Sequence, residues 1–316
     1  MEISDHIIDW LLEGDASIQY QVQRDLLGLE LPALKERIAT EGWGAQFLQH
    51  RQDNGHWGRG FYQPKWNSTH YSLLDIKNLG FPTDHLKIAE SISIILRDEK
   101  GKDGGINPSR TIGQSDVCIN GMFLNYACYF KADQTELHSI VDFVIAQQMP
   151  DGGFNCRFNR QGAVHSSLHS TISVIEGIRE YAANDYQYRL AELEGIAAEA
   201  REFILHHQLF RSHRTGEIID RRMLRLSYPS RWYYDILRAL DYFQAANVKY
   251  DTRMEPALEV LKKKQHKDGK WPLQAKHPGE VHFDMEKSGG PSRWNTLRAS
   301  RVLNHYANCT SPTNKS

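Results

Sequence analysis

Apolar residues recur three and four positions apart over residues 86–96, 137–147, 196–206 and 254–264. That spacing predicts helices that bury one face. Short polar turns follow these segments, and one pattern keeps returning: Gln52-Asp53-Asn54-Gly55-His56-Trp57, Asp103-Gly104-Gly105-Ile106, Pro150-Asp151-Gly152-Gly153-Phe154 and Gln265-His266-Lys267-Asp268-Gly269-Lys270-Trp271. A worn copy reads Thr215-Gly216-Glu217-Ile218. Glycine takes positive φ without a Cβ penalty and Asp tolerates turn geometry, so each turn stops its helix. The closing Trp, Ile or Phe then folds back as an apolar plug. The copies lie roughly fifty residues apart, which marks one supersecondary unit used several times.

After each turn and ten to fifteen further residues, a second helix is expected, beginning at Thr69, Asp116, Leu168, Trp232 and Trp294. These helices are apolar on more than one face, as Ile119, Met122, Phe123, Leu124 and Tyr126 show, which places them in an inner layer. The pattern predicts an all-α fold, a double-layered α/α toroid of five to six helix pairs around a central cavity. Open helical solenoids have shorter repeats and lack a D-G-aromatic turn. The segments 7–12 and 20–27 supply one more pair that closes the ring. No linker or low-complexity run divides the chain, so residues 1–316 are expected to form one domain, with a repeat core over 40–306 and a fraying tail at 308–316.

The 38 Lys and Arg balance 39 Asp and Glu, so nothing steers the chain toward nucleic acid. No apolar run is long enough to span a membrane, and the acidic start Met1-Glu2-Ile3-Ser4-Asp5 is unlike a secretory signal. Four cysteines in 316 residues do not make a disulfide framework. A cytoplasmic setting is expected.

Candidate chemistry gathers where inner helices begin. Asp116 and Cys118 open one; Cys156 follows a plug; His165 and His169 flank the start of the next. Adjacent inner helices of a toroid start side by side, so these residues can converge. Thiolate, imidazole and carboxylate are the ligands of Zn²⁺, and a catalytic site leaves one position open. Each also has a plainer role: Cys as a small buried hydrophobe, Asp116 as a helix cap, His165 on a backbone carbonyl.

These turns and clusters resemble the protein prenyltransferase β subunits and, more distantly, the squalene cyclases, both α/α toroids. The β subunits carry an Arg, an Asp-x-Cys, a Gly-Gly turn and a His, and the run here is Arg110, Asp116-Val117-Cys118, Gly152-Gly153-Phe154 and His169. The resemblance implies that Asp116, Cys118 and His169 hold a catalytic Zn²⁺, with Cys156 or His165 the fourth ligand. There are departures. A family Lys that helps bind diphosphate falls near Gly113, a Tyr is replaced by Ile119, and the Asp-x-Asp-Asp of squalene-type cyclases is missing. The lanthionine cyclases, whose zinc is held by two Cys and a His, offer a second likeness through Cys118 and Cys156.

A cation stands beside tryptophan at Lys65-Trp66, Arg231-Trp232 and Arg293-Trp294, the last two within a repeated Pro-Ser-Arg-Trp. Trp66, His70, Tyr228, Arg231, Trp232, Tyr233, Arg293 and Trp294, with Arg110, are therefore candidates to bind substrate at an apolar pocket with a polar rim. The same motif also serves as a helix start that packs units together. The expected function is a zinc-dependent enzyme acting on an apolar, isoprenoid-like or thiol-containing substrate. The alternative is a toroid without catalysis that binds a hydrophobic ligand or a partner protein through its aromatic rim.

Overall fold

The glycine of every repeated turn lies in the left-handed region, at φ +84° for Gly55, +86° for Gly104, +85° for Gly152, +72° for Gly216 and +82° for Gly269. Four turns close with the same pair of backbone bonds, Gln52 N to His56 O and Gly55 N to Gln52 O in the first. The plug after each is then latched to the next inner helix. The Trp57, Phe154 and Trp271 amides donate to the hydroxyls of Thr69, Thr171 and Thr296, each at 3.0 Å, and Ile106 N donates to Asn120 Oδ1 at 2.6 Å. A buried amide must be paired, and in these four units a polar residue of the following inner helix supplies the partner.

The computed structural model describes residues 3–109, 111–156 and 162–307. Among them are thirteen α-helices, and β pairing is confined to isolated bridges. In chain order they are α1 (Asp5–Leu12), α2 (Ala16–Leu26), α3 (Pro32–Thr40), α4 (Gly42–Gln49), α5 (Thr69–Asn78), α6 (Leu86–Asp98), α7 (Val117–Tyr129), α8 (Gln134–Ala146), α9 (Leu168–Ala183), α10 (Leu190–His206), α11 (Ile236–Ala245), α12 (Glu255–Lys263) and α13 (Arg293–Tyr306). The expected outer segments fall in α6, α8, α10 and α12. No described helix is long and apolar enough to cross a membrane.

The inner layer runs α2, α5, α7, α9, α11, α13 and returns to α2. Helix α5 packs on α7, α7 on α9, α11 on α13, and α13 on α2. Ionic contacts join α9 to α11, where Arg238 grips Glu176 at 2.6 Å. Gln21 Nε2 donates to Asn78 O at 3.0 Å and ties α2 to α5. The ring is closed, with α2 between α13 and α5. The tightest contact is α7 against α9, and glycine sets it. A Cβ on Gly177 would stand 2.3 Å from the Gly121 carbonyl oxygen, and one on Gly121 would meet the α9 backbone at 2.6 Å.

Two boundaries differ from expectation. The fifth inner helix begins at Ile236, not Trp232: Arg231 sits at φ +57°, and the Asp235 side chain caps the helix by accepting from Arg238 N at 2.8 Å. Before the first turn the chain adds α3 and α4, which bury only Ile38, Gly44 and Phe47 and so leave little periodic signal. The tail at 308–316 lies outside the described residues.

Candidate functional site

The axis of the ring is hollow. A cavity of about 570 Å³ runs from the level of Tyr228, Arg231 and Trp294 to the C-terminal ends of the inner helices at Asn78, Tyr129, Asn184 and Ala245. Its wall is ionic. Seven cations (Arg24, Lys77, Arg179, Arg231, Arg238, Arg298, Arg301) face four carboxylates (Asp25, Glu176, Glu180, Asp241). Burial alone would push the carboxyls of Asp25 and Glu180 up, but Arg24 and Arg301 hold Asp25 low, and Lys77 and Arg179 do the same for Glu180.

Within this lattice two guanidinium donors are left over. Arg298 is 6 % exposed; its Nε reaches Asp241 at 3.1 Å, while Nη1 has no partner among the described residues. Arg301 places Nη1 2.7 Å from Asp25 and Nη2 3.2 Å from Asp241, and its Nε is unpaired. An unsatisfied buried donor is costly. Asn125 Oδ1 and Trp294 Nε1 on the same wall are unpaired too. At the inner end Arg231 grips Asp75, whose carboxyl burial raises to about 6 against the pull of that arginine.

Above this layer lies a smaller cavity of about 230 Å³, roofed by residues 276–286. Trp66 Nε1 donates to Pro278 O at 2.7 Å, and Ser72 Oγ stands 2.9 Å from His282 Nε2. Tyr233 stacks on His277 at 3.8 Å and on Trp232 at 3.9 Å. The aromatic rim is thus packed beneath this loop rather than open. Burial pushes His277 down to about 4, with Arg231 and Arg238 adding to it, and His282 likewise to about 4, with His50 adding. Both rings are neutral in the fold and charge more readily once released, so the stability they lend is present above the ordinary value of 6.5 and is lost as pH falls from there toward 4. Amide exchange of residues 276–286, corrected for its intrinsic pH dependence, is expected to speed up between pH 7 and pH 5. Equal protection at both pH values would show that the loop does not depend on neutral imidazoles.

The cluster at the start of α7 and α9 is only partly assembled. Cys118 and Cys156 meet, their sulfurs 3.0 Å apart, with Ser170 Oγ 3.6 Å from Cys156. The Cys156 sulfur and burial push the Cys118 thiol up, while the Cys118 thiol holds Cys156 down. Asp116 is near enough to bear on both. His169 turns its Nδ1 to another task, accepting from Tyr234 N at 2.8 Å, which leaves the neutral ring's proton on Nε2. His165 is exposed before the helix begins, its carbonyl bonded to Asn155, so it shares no helical face with His169. Two thiolates on one zinc would stand roughly 3.8 Å apart in a tetrahedral shell, wider than this pair. Among the described residues no group of three or more His, Cys, Asp or Glu is placed to hold a metal ion. Of the expected zinc set, the structure brings Cys118 and Cys156 together and turns His165 and the Nδ1 of His169 to other partners.

The remaining candidates separate. Tyr228 and Trp294 stack at 4.6 Å and, with Arg231, line the axial cavity. Trp66 lines the small cavity. His70 is fully buried against Tyr126 OH at 3.2 Å and held down to about 3 by burial. Arg293 faces α1, donating to Trp10 O at 2.9 Å, so the two Pro-Ser-Arg-Trp copies place their arginines in different surroundings. Arg110 lies outside the described residues. The sequence reading missed Arg238, Arg298 and Arg301, although Arg238-x-x-Asp241 and Arg298-x-x-Arg301 put charges on one face of otherwise buried helices.

No protein family and no curated protein matches the sequence. Among solved structures, the chain is similar to a type II terpene cyclase from Scytonema in complex with its product merosterolic acid A, at 13 % identity and a TM-score of 0.34, over 87 % of this chain and 97 % of that one. So low a score carries no argument about what this chain does.

Proposed function

We propose that this toroid binds a small anionic molecule in its axial cavity, with the negative group held by Arg298 and Arg301. The observation that carries the reading is the charge of the cavity wall, seven lysines and arginines against four carboxylates; behind it Arg298 Nη1 and Arg301 Nε have no hydrogen-bond partner among the described residues. Guanidinium is built for carboxylate and phosphate oxygens, and the cationic excess of the wall favours such a guest. An isoprenoid-like ligand has less support, because the wall is charged and the aromatic rim is already packed against the 276–286 loop. Tyr228 and Trp294 give the inner end a flat apolar surface on which the uncharged part of the ligand rests.

The test is calorimetric titration with inorganic phosphate, short dicarboxylates and sugar phosphates. Arg298→Met is expected to weaken the binding anion about 10- to 100-fold, the worth of one or two charge-assisted hydrogen bonds. Arg293→Met, which faces α1, should leave it unchanged. An absence of anion binding, or equal binding by the Arg298 variant, would sink the reading.

A further inference from the structure

The geometry points to Cys118 and Cys156 as a reversible dithiol–disulfide couple at the upper end of the ring, oxidised by a small peroxide. The sulfurs come from segments 38 residues apart and stand 3.0 Å from each other, closer than unbonded sulfurs ordinarily pack and about 1 Å beyond a disulfide bond. Cys156 is 8 % exposed and Cys118 is half-buried, so the oxidant must be as small as hydrogen peroxide. Both residues are anchored. Cys118 lies in the first turn of α7. Cys156 N bonds the Asn155 side chain, which in turn holds the His165 carbonyl. A small closure of the sulfurs completes the bond while the helices keep their places. The third described cysteine, Cys128, is fully buried in the core and takes no part.

The chemistry balances without a metal. One sulfur, as thiolate, attacks a peroxide oxygen and the O–O bond breaks, giving a sulfenic acid and hydroxide, which takes up the proton that the thiol gave. The second thiol displaces the sulfenic oxygen, forming the S–S bond and releasing water. Overall two thiols give up two electrons and two protons, and one peroxide becomes two waters. A thiol reductant reverses the change by exchange. The bond would tie the start of α7 to the segment leading into α9 beside the tightest helix contact of the ring. This couple is independent of the anion site, and neither test bears on the other.

The test uses the full chain, purified under reducing conditions and treated with a small excess of hydrogen peroxide. Two of the four thiols are expected to disappear with a mass loss of about 2 Da, and peptide mapping should join Cys118 to Cys156. Dithiothreitol should restore both thiols. The oxidised protein should melt roughly 5 °C or more higher, because a cross-link of this span restricts the unfolded chain. Cys118→Ser and Cys156→Ser, checked for native circular dichroism, should each lose that shift and leave a dimedone-reactive sulfenic acid on the remaining cysteine. The proposal is overturned if no such mass loss occurs or the bond maps to Cys128 or Cys309. It is likewise overturned if the reduced protein carries one zinc that must be chelated before the pair oxidises.

Discussion

A Gly121→Val protein is expected to lose roughly 4 kcal/mol or more of stability, the range that core overpacking reaches when backbone cannot yield. Its first added carbon would lie 2.6 Å from Ser173 O and from the Val174 Cα, and the Gly177 carbon facing back across the seam has equally little room. These neighbours are backbone in the middle of a helix, so relief requires α7 and α9 to move apart. That displacement runs around a closed ring. Thermal unfolding by circular dichroism should show the midpoint falling by about 6 °C or more. Gly195→Ala makes a similar change in α10, where nothing lies within 4 Å, and it should raise stability by about 0.4–1 kcal/mol. A Gly121→Val protein that melts with the wild type would show that glycine does not set the spacing of this pair.

Trp271→Ala should cost about 3–5 kcal/mol, from the cavity left by a deleted indole together with one lost hydrogen bond. Trp271 is 1 % exposed, and its Nε1 donates to Leu261 O at 2.8 Å. Trp57 repeats the arrangement with Phe47 O at 2.7 Å, so the plug joins the helix before the turn to the one after it. Trp271→Phe keeps most of the packing and should recover well over half of the loss. In the worn copy Ile218 is only half-buried, and Ile218→Ala is expected to cost about 1 kcal/mol. Urea unfolding of the three variants decides it. Equal losses at residues 218 and 271 would mean that the turns are not ranked by how deeply their plugs sit.

The repeated turns were legible because glycine at one left-handed position and an apolar residue two places on leave a mark that survives drift elsewhere. The outer helices were legible from their one-sided periodicity. What escaped were features that depend on direction across the ring. Thr69, Asn120, Thr171 and Thr296 read as unremarkable polar residues, yet each accepts a buried amide from a plug. Arg238, Arg298 and Arg301 read as ordinary charges, since a sequence does not say whether an inner-helix face meets solvent or a lumen. Cys118 and Cys156 meet, with Asp116 near both. His169 was singled out with them, but its lone pair is spent on the Tyr234 amide, a contact between residues 65 apart that no local pattern announces.

The latches also bear on the order in which the chain can assemble. Each plug is fastened to an inner helix 12 to 25 residues further on, so a unit can form as soon as its own segment exists, and such local contacts are quick to make. The seam between α13 and α2 is of another kind, since Arg301 must find Asp25 across 276 residues. During synthesis α2 is made early, and its Asp25 has only the neighbouring Arg24 for a partner until the last helix arrives. An unfinished arc of this sort offers an open edge to other copies of itself. Arg301 on α13 is therefore the catch that turns a growing arc into a ring.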